Sequence, residues 1–116
     1  MIIGIGTDLV VVERFSDMLE RTPGVADRLL TAGERELSVQ SQAARFSAKE
    51  ALAKALGSPG GMRWQDCEVV RDEHGKPSFR VTGTVEARVR ELGIEKIHLS
   101  ISHDGGFSTA LVVCEA

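Results

Sequence analysis

The chain has 116 residues, 42% of them hydrophobic and 27% charged, with a net charge of −3. That size fits one domain spanning 1–116, and the acidic balance excludes the basic excess expected of a general nucleic-acid or membrane-surface binder. With no Tyr and 4% aromatics, a base-stacking platform is excluded as well.

Met1 to Gly4 carries no basic leader, and no stretch reaches the ~18 apolar residues a membrane span needs, so the sequence predicts a cytoplasmic protein. A chain this short buries one modest core, and a site for a large ligand is more easily shared between subunits than built within one.

In chain order, Ile2-Ile3-Gly4-Ile5-Gly6 predicts a short strand. Gly4 and Gly6 lack the third glycine and acidic partner of a dinucleotide fingerprint. Val12, Phe15, Met18 and Leu19 recur at helical spacing until Pro23-Gly24. Val25–Leu30 predicts a short helix, and Thr31 with Glu34 has the spacing of a capping box. The clearest helix runs from about Ser41 to Leu56, stopped by Gly57. On it Ala44, Ala48, Ala51 and Ala55 form a narrow stripe suited to close packing. Cys67–Asp72 and Ser78–Val81 predict a hairpin, and Val85–Leu92 a helix closed by Gly93. The alternation of Ile97, Leu99 and Ile101 predicts a strand, followed by a turn at Asp104-Gly105-Gly106 and a last strand over Thr109–Cys114. Cys67 and Cys114 form no metal-ligand spacing and read as buried thiols. The order is mixed α and β in one layer-packed domain.

Several residues admit two readings. Asp8 is either a helix N-cap or a carboxylate emerging at a sheet edge. Glu50 and Lys54, one turn apart, are either an i, i+4 ion pair or a carboxylate for a hard cation beside an ammonium for the phosphate that cation holds. Ser100, Ser102 and His103 lack the third partner of a hydrolytic triad and fit a polar strand end that contacts a phosphate. His74 and His98 read as surface residues. Arg14 and Arg21 share a helix face that Arg28 extends; this is either solvated surface or a docking stripe for an acidic partner.

Taken in order, three blocks resemble a family. Gly6-Thr7-Asp8, continuing to Arg14, resembles the GxDxxxxxR opening of the holo-acyl-carrier-protein synthases, small 4′-phosphopantetheinyl transferases. Arg45-Phe46-Ser47-Ala48-Lys49-Glu50-Ala51-Leu52-Ala53-Lys54-Ala55-Leu56-Gly57 resembles their central RFxxKEAxxKAxG helix, and Ser100-Ile101-Ser102-His103 their SxSH strand. The resemblance implies an α/β domain, an antiparallel sheet packed with a long central helix, that forms a homotrimer, binds coenzyme A between subunits and passes its phosphopantetheine arm to a serine of an apo acyl carrier protein. It implies Mg²⁺ held by Asp8 and Glu50, and Lys54 at the pyrophosphate. Arg45, Lys49 and His103 are implied at coenzyme A, with Arg45 near its 3′-phosphate. Arg14 is implied in carrier docking, with Arg21 on the same face. Asp8, Glu50 and Lys54 form the expected catalytic set. The chain departs from the family at a short segment over Leu37–Ala43, and at Ser108, where alanine is frequent. A Mg²⁺-dependent nucleotide pyrophosphate hydrolase would use the same two carboxylates and lysine with water as the acceptor.

Overall fold

The computed structural model describes all residues, 1–116. Strand β1 (Ile2–Val11) is followed by helices α1 (Val12–Arg21), α2 (Val25–Leu29), α3 (Ala32–Arg35) and α4 (Val39–Ala55). A 3-10 turn over Trp64–Asp66 leads to the hairpin β2 (Cys67–Arg71) and β3 (Pro77–Val81). Helix α5 (Gly83–Glu91) and the pair β4 (Lys96–Asp104) and β5 (Phe107–Glu115) complete the chain. The main sheet is antiparallel with order β1-β5-β4, and β2-β3 form a separate two-stranded sheet.

Strand β1 runs five residues beyond the short strand expected from its apolar start. Residues 7–11 pair antiparallel with 107–111, so backbone pairing carries the strand through Thr7 and Asp8. Asp8 is therefore not a helix N-cap: α1 begins at Val12, with Val11 as an N-cap that makes no side-chain bond. Helix α4 begins earlier than the alanine stripe suggested, because the Ser38 hydroxyl accepts from the Ser41 N–H and caps it. The capping box is complete. Thr31 N–H donates to Glu34 Oε1 at 2.8 Å, and Glu34 N–H to Thr31 Oγ1 at 3.3 Å.

The alanine stripe lies against the main sheet, with Ala44, Ala48, Ala51 and Ala55 all buried. The approach is close enough to explain the glycines of β1. A Cβ on Gly4 would lie 2.0 Å from Ala55 O, and one on Gly6 1.9 Å from Ala51 O. This pair of glycines admits a helix, not a dinucleotide.

Around this contact a core forms from α4, α5 and both sheets, including Leu52, Leu56, Val69, Val85 and Val112. A smaller cluster of Phe15, Val25, Leu29, Leu30 and Ala43 joins α1 and α2 to the first half of α4. Both cysteines are free and buried, and burial pushes the Cys67 thiol up to about 12. The outer face of the main sheet is apolar yet uncovered: Ile5 is 56% exposed, Leu9 63%, Phe107 45% and Leu111 43%. No helix is long and apolar enough to cross a membrane.

Candidate active site

Side chains alternate along a strand, so Gly4, Gly6 and Asp8 share the face of β1 that meets α4. The two glycines bring the helix down onto the strand, and Asp8 is the first residue in that row with a side chain to offer. On α4, Phe46, Glu50 and Lys54 stand one turn apart on a stripe beside the alanines. These two rows converge. Lys54 Nζ lies 3.2 Å from Asp8 Oδ1 and donates to Thr7 O at 2.9 Å. Asp8, Glu50 and Lys54 line one open cleft of about 500 Å³, together with Phe46 and, from α1, Arg14 and Met18.

The electrostatics of the cleft are those of two carboxylates brought together. The Glu50 carboxyl is held above the ordinary glutamate range, first by partial burial and then by the negative charge of Asp8, with Lys54 pulling the other way. Lys54 bonds to Asp8 and not to Glu50, whose carboxylate takes part in no hydrogen bond or ion pair within the chain. A half-buried carboxylate without a partner, facing a second carboxylate, is a donor set suited to a hard divalent cation. Magnesium commonly takes one or two protein carboxylates and fills its other positions with water and phosphate oxygens. No third His, Cys, Asp or Glu joins them, which leaves those positions open.

The other expected site residues lie elsewhere. Arg21 sits exposed in the last turn of α1, away from the cleft. Arg45 is 6% exposed; its only bond is a long one to Ser41 O at 3.4 Å, and its buried Nε has no partner. Burial and the nearby Arg71 push the Arg45 guanidinium below its usual range, against Glu34. His103 is exposed at the end of β4, where Nδ1 meets Gln40. His74 and His98 are surface residues, as expected, His98 bonding Glu115.

Lys49 requires a correction. Expected among the coenzyme A contacts, it is completely buried, and its ammonium donates to Glu34 Oε1 at 2.6 Å, Leu29 O at 2.9 Å and Trp64 O at 3.0 Å. Those acceptors use all three of its hydrogens, so none remains for a phosphate. Phe46 and Met18 also line the cleft and carry no functional assignment from the sequence. Phe46 was legible there, since it stands four residues before Glu50 and shares its stripe.

Comparison with known proteins agrees with this geometry. The model of the 4′-phosphopantetheinyl transferase superfamily matches residues 4–112. A holo-[acyl-carrier-protein] synthase from Clavibacter michiganensis subsp. michiganensis is 60% identical over 115 residues, covering 99% of this chain and 97% of the relative. The holo-[acyl-carrier-protein] synthase structure from Neisseria meningitidis superposes with a TM-score of 0.91 at 34% identity, over 100% of both chains. That of a holo-(acyl-carrier-protein) synthase from Bacillus anthracis in complex with CoA (3′,5′-ADP) does so with a TM-score of 0.81 at 34% identity, over 100% of this chain and 98% of the other. With the motif helix folded against the glycine-bearing strand and the match running nearly end to end, the chain belongs to the 4′-phosphopantetheinyl transferase superfamily.

Proposed function

We propose that this protein transfers the 4′-phosphopantetheine group of coenzyme A to a serine of an apo acyl carrier protein, releasing adenosine 3′,5′-bisphosphate. The observation that carries this reading is the convergence of Asp8, Glu50 and Lys54 on one cleft, in a chain 60% identical to a holo-[acyl-carrier-protein] synthase.

The serine hydroxyl oxygen forms a bond to the β-phosphorus of coenzyme A. The bond from that phosphorus to the oxygen bridging the two phosphates breaks, and the hydroxyl proton departs. Such a transfer asks the protein mainly for position and charge. Asp8 and Glu50 fit Mg²⁺, which when bound supplies Lewis-acid polarisation of the pyrophosphate. Lys54, tethered to Asp8 and Thr7 O, holds a second positive charge at the rim of the cleft for the leaving phosphate. Glu50 is the carboxylate we assign to receive the serine proton. Arg14, at the cleft, and Arg21, at the far end of α1, present positive charge to an acidic carrier.

The assembly we assign is a homotrimer joined through the uncovered apolar face of the main sheet, where Ile5, Leu9, Phe107 and Leu111 stand exposed. Arg45 and His103 lie outside the cleft of their own protomer, so in this reading they contact coenzyme A across a subunit boundary.

Mass spectrometry of an apo carrier incubated with the protein, coenzyme A and Mg²⁺ tests the reaction. A gain of the phosphopantetheine mass on the carrier is expected. Coenzyme A breakdown with no gain on the carrier would establish a pyrophosphate hydrolase instead. Light scattering tests the trimer.

A further inference from the structure

Gln40 lies in the first turn of α4, yet its side chain crosses to the end of β4, where its Nε2 sits 3.2 Å from Nδ1 of His103. This is the one hydrogen bond His103 makes through its ring within the chain. Both ends of the contact stand on fixed backbone. The first turn of α4 is capped by Ser38, and Gln42 ties it back by donating to Arg35 O at 3.0 Å and Leu37 O at 2.9 Å. His103 is held in register opposite Ser108 of β5.

The chemistry of the two nitrogens decides what the contact does. An amide nitrogen carries two hydrogens and accepts nothing, so His103 Nδ1 is the acceptor. A neutral imidazole that accepts at Nδ1 carries its proton on Nε2. Without Gln40 the exposed ring would be free to turn about its last torsion and to exchange tautomers; with it, one N–H points away from the chain in a set direction.

We infer that Gln40 is a positioning residue for His103, holding the imidazole in the Nε2–H tautomer so that it offers one directed donor to an anionic oxygen of coenzyme A. The inference rests on the reading above, in which His103 contacts that substrate. Gln40 touches no reacting atom. Its effect passes through the orientation of His103, so it bears on coenzyme A binding and not on the transfer step.

The test joins imidazole ¹⁵N NMR to steady-state kinetics on the full chain, using wild type, Gln40→Leu, Gln40→Glu and His103→Ala. In mildly alkaline buffer, where an imidazole is neutral, wild-type His103 should show a protonated Nε2 and a bare Nδ1. Gln40→Glu should move the proton to Nδ1, because a carboxylate there can only accept. Gln40→Leu should keep its Tm, kcat and KM for the carrier, and raise KM for coenzyme A about three- to tenfold, as expected for one lost orienting hydrogen bond. A wild-type ring protonated on Nδ1 would overturn the proposal. So would a Gln40→Leu variant with wild-type KM for coenzyme A when His103→Ala raises it. If His103→Ala leaves that KM unchanged, the assignment of His103 to coenzyme A fails, and the inference fails with it for that separate reason.

Discussion

Lys49 Nζ and Glu34 Oε1 lie 2.6 Å apart with side-chain exposures of 0% and 2%. Glu34 Oε1 also accepts from Thr31 N–H, and Oε2 from Val69 N–H at 2.9 Å. Each charge is thus met by its counter-ion and by backbone groups, and the pair ties α2, α3, α4, the 3-10 turn and β2 at a single point.

A buried pair of this kind is costly to break from one side, because the survivor is left as an uncompensated charge. Lys49→Met should lower stability by about 3–5 kcal/mol. Glu34→Gln combined with Lys49→Met should recover a good part of that, since no net charge is then stranded. Denaturant melts of the two variants check this. A single variant no less stable than the double would contradict the account.

The contact of β1 with α4 makes Gly6 the most sensitive position in the sheet. Its substitution by alanine puts a methyl 1.9 Å from Ala51 O, which is backbone and cannot turn aside. Helix α4 must lift from β1, taking Glu50 and Lys54 away from Asp8. Gly6→Ala should cost about 3 kcal/mol, a fall in Tm of roughly 10 °C. Turnover should fall even at temperatures where the variant remains folded; normal turnover there would show that the spacing of β1 and α4 is not critical.

Ser108 offers the opposite case. It is completely buried, and its hydroxyl has no hydrogen-bond partner. Replacing a buried hydroxyl that bonds nothing removes a desolvation cost of about 1 kcal/mol. Ser108→Ala should therefore raise Tm by about 4 °C with activity unchanged. A lower Tm would mean that the hydroxyl has a partner, such as a buried water.

Glu50 should trade stability against function. Its carboxyl is raised in the folded chain, so between its ordinary value of 4.5 and that raised value the folded state holds more proton than the unfolded. Stability accordingly declines as pH rises through that window, and the full penalty is present above it. In metal-free buffer at neutral pH, Glu50→Gln should be at least as stable as wild type. The difference should vanish as pH falls below the ordinary glutamate range. The same variant should lose about a hundredfold or more in turnover, on the scale of a missing acid–base group. Thermal scans across pH beside the carrier mass-shift assay measure both. A variant less stable than wild type at neutral pH would contradict the origin assigned to the shift, and normal turnover would remove Glu50 from the site.

How much of this was legible in the chain differs from residue to residue. The hairpin, α5 and the Thr31–Glu34 box follow local rules, and each was readable within a few positions. Strand β1 extends past its apolar run, which Thr7 and Asp8 break. Their extended conformation comes from pairing with β5, about a hundred residues away in sequence, which no local pattern records.

The amino-acid order alone determined the alanine stripe, the Glu50–Lys54 turn, the paired glycines and the three ordered blocks that mark the family. Only the tertiary structure decided what those features serve. It made Gly4 and Gly6 the bed of a helix and aimed Asp8 at Lys54. It also withdrew Lys49 from any ligand into a buried pair with Glu34. The physical reason is common to all three: a side chain's role depends on which surface its backbone turns it toward, and that is set by packing between segments far apart in the chain.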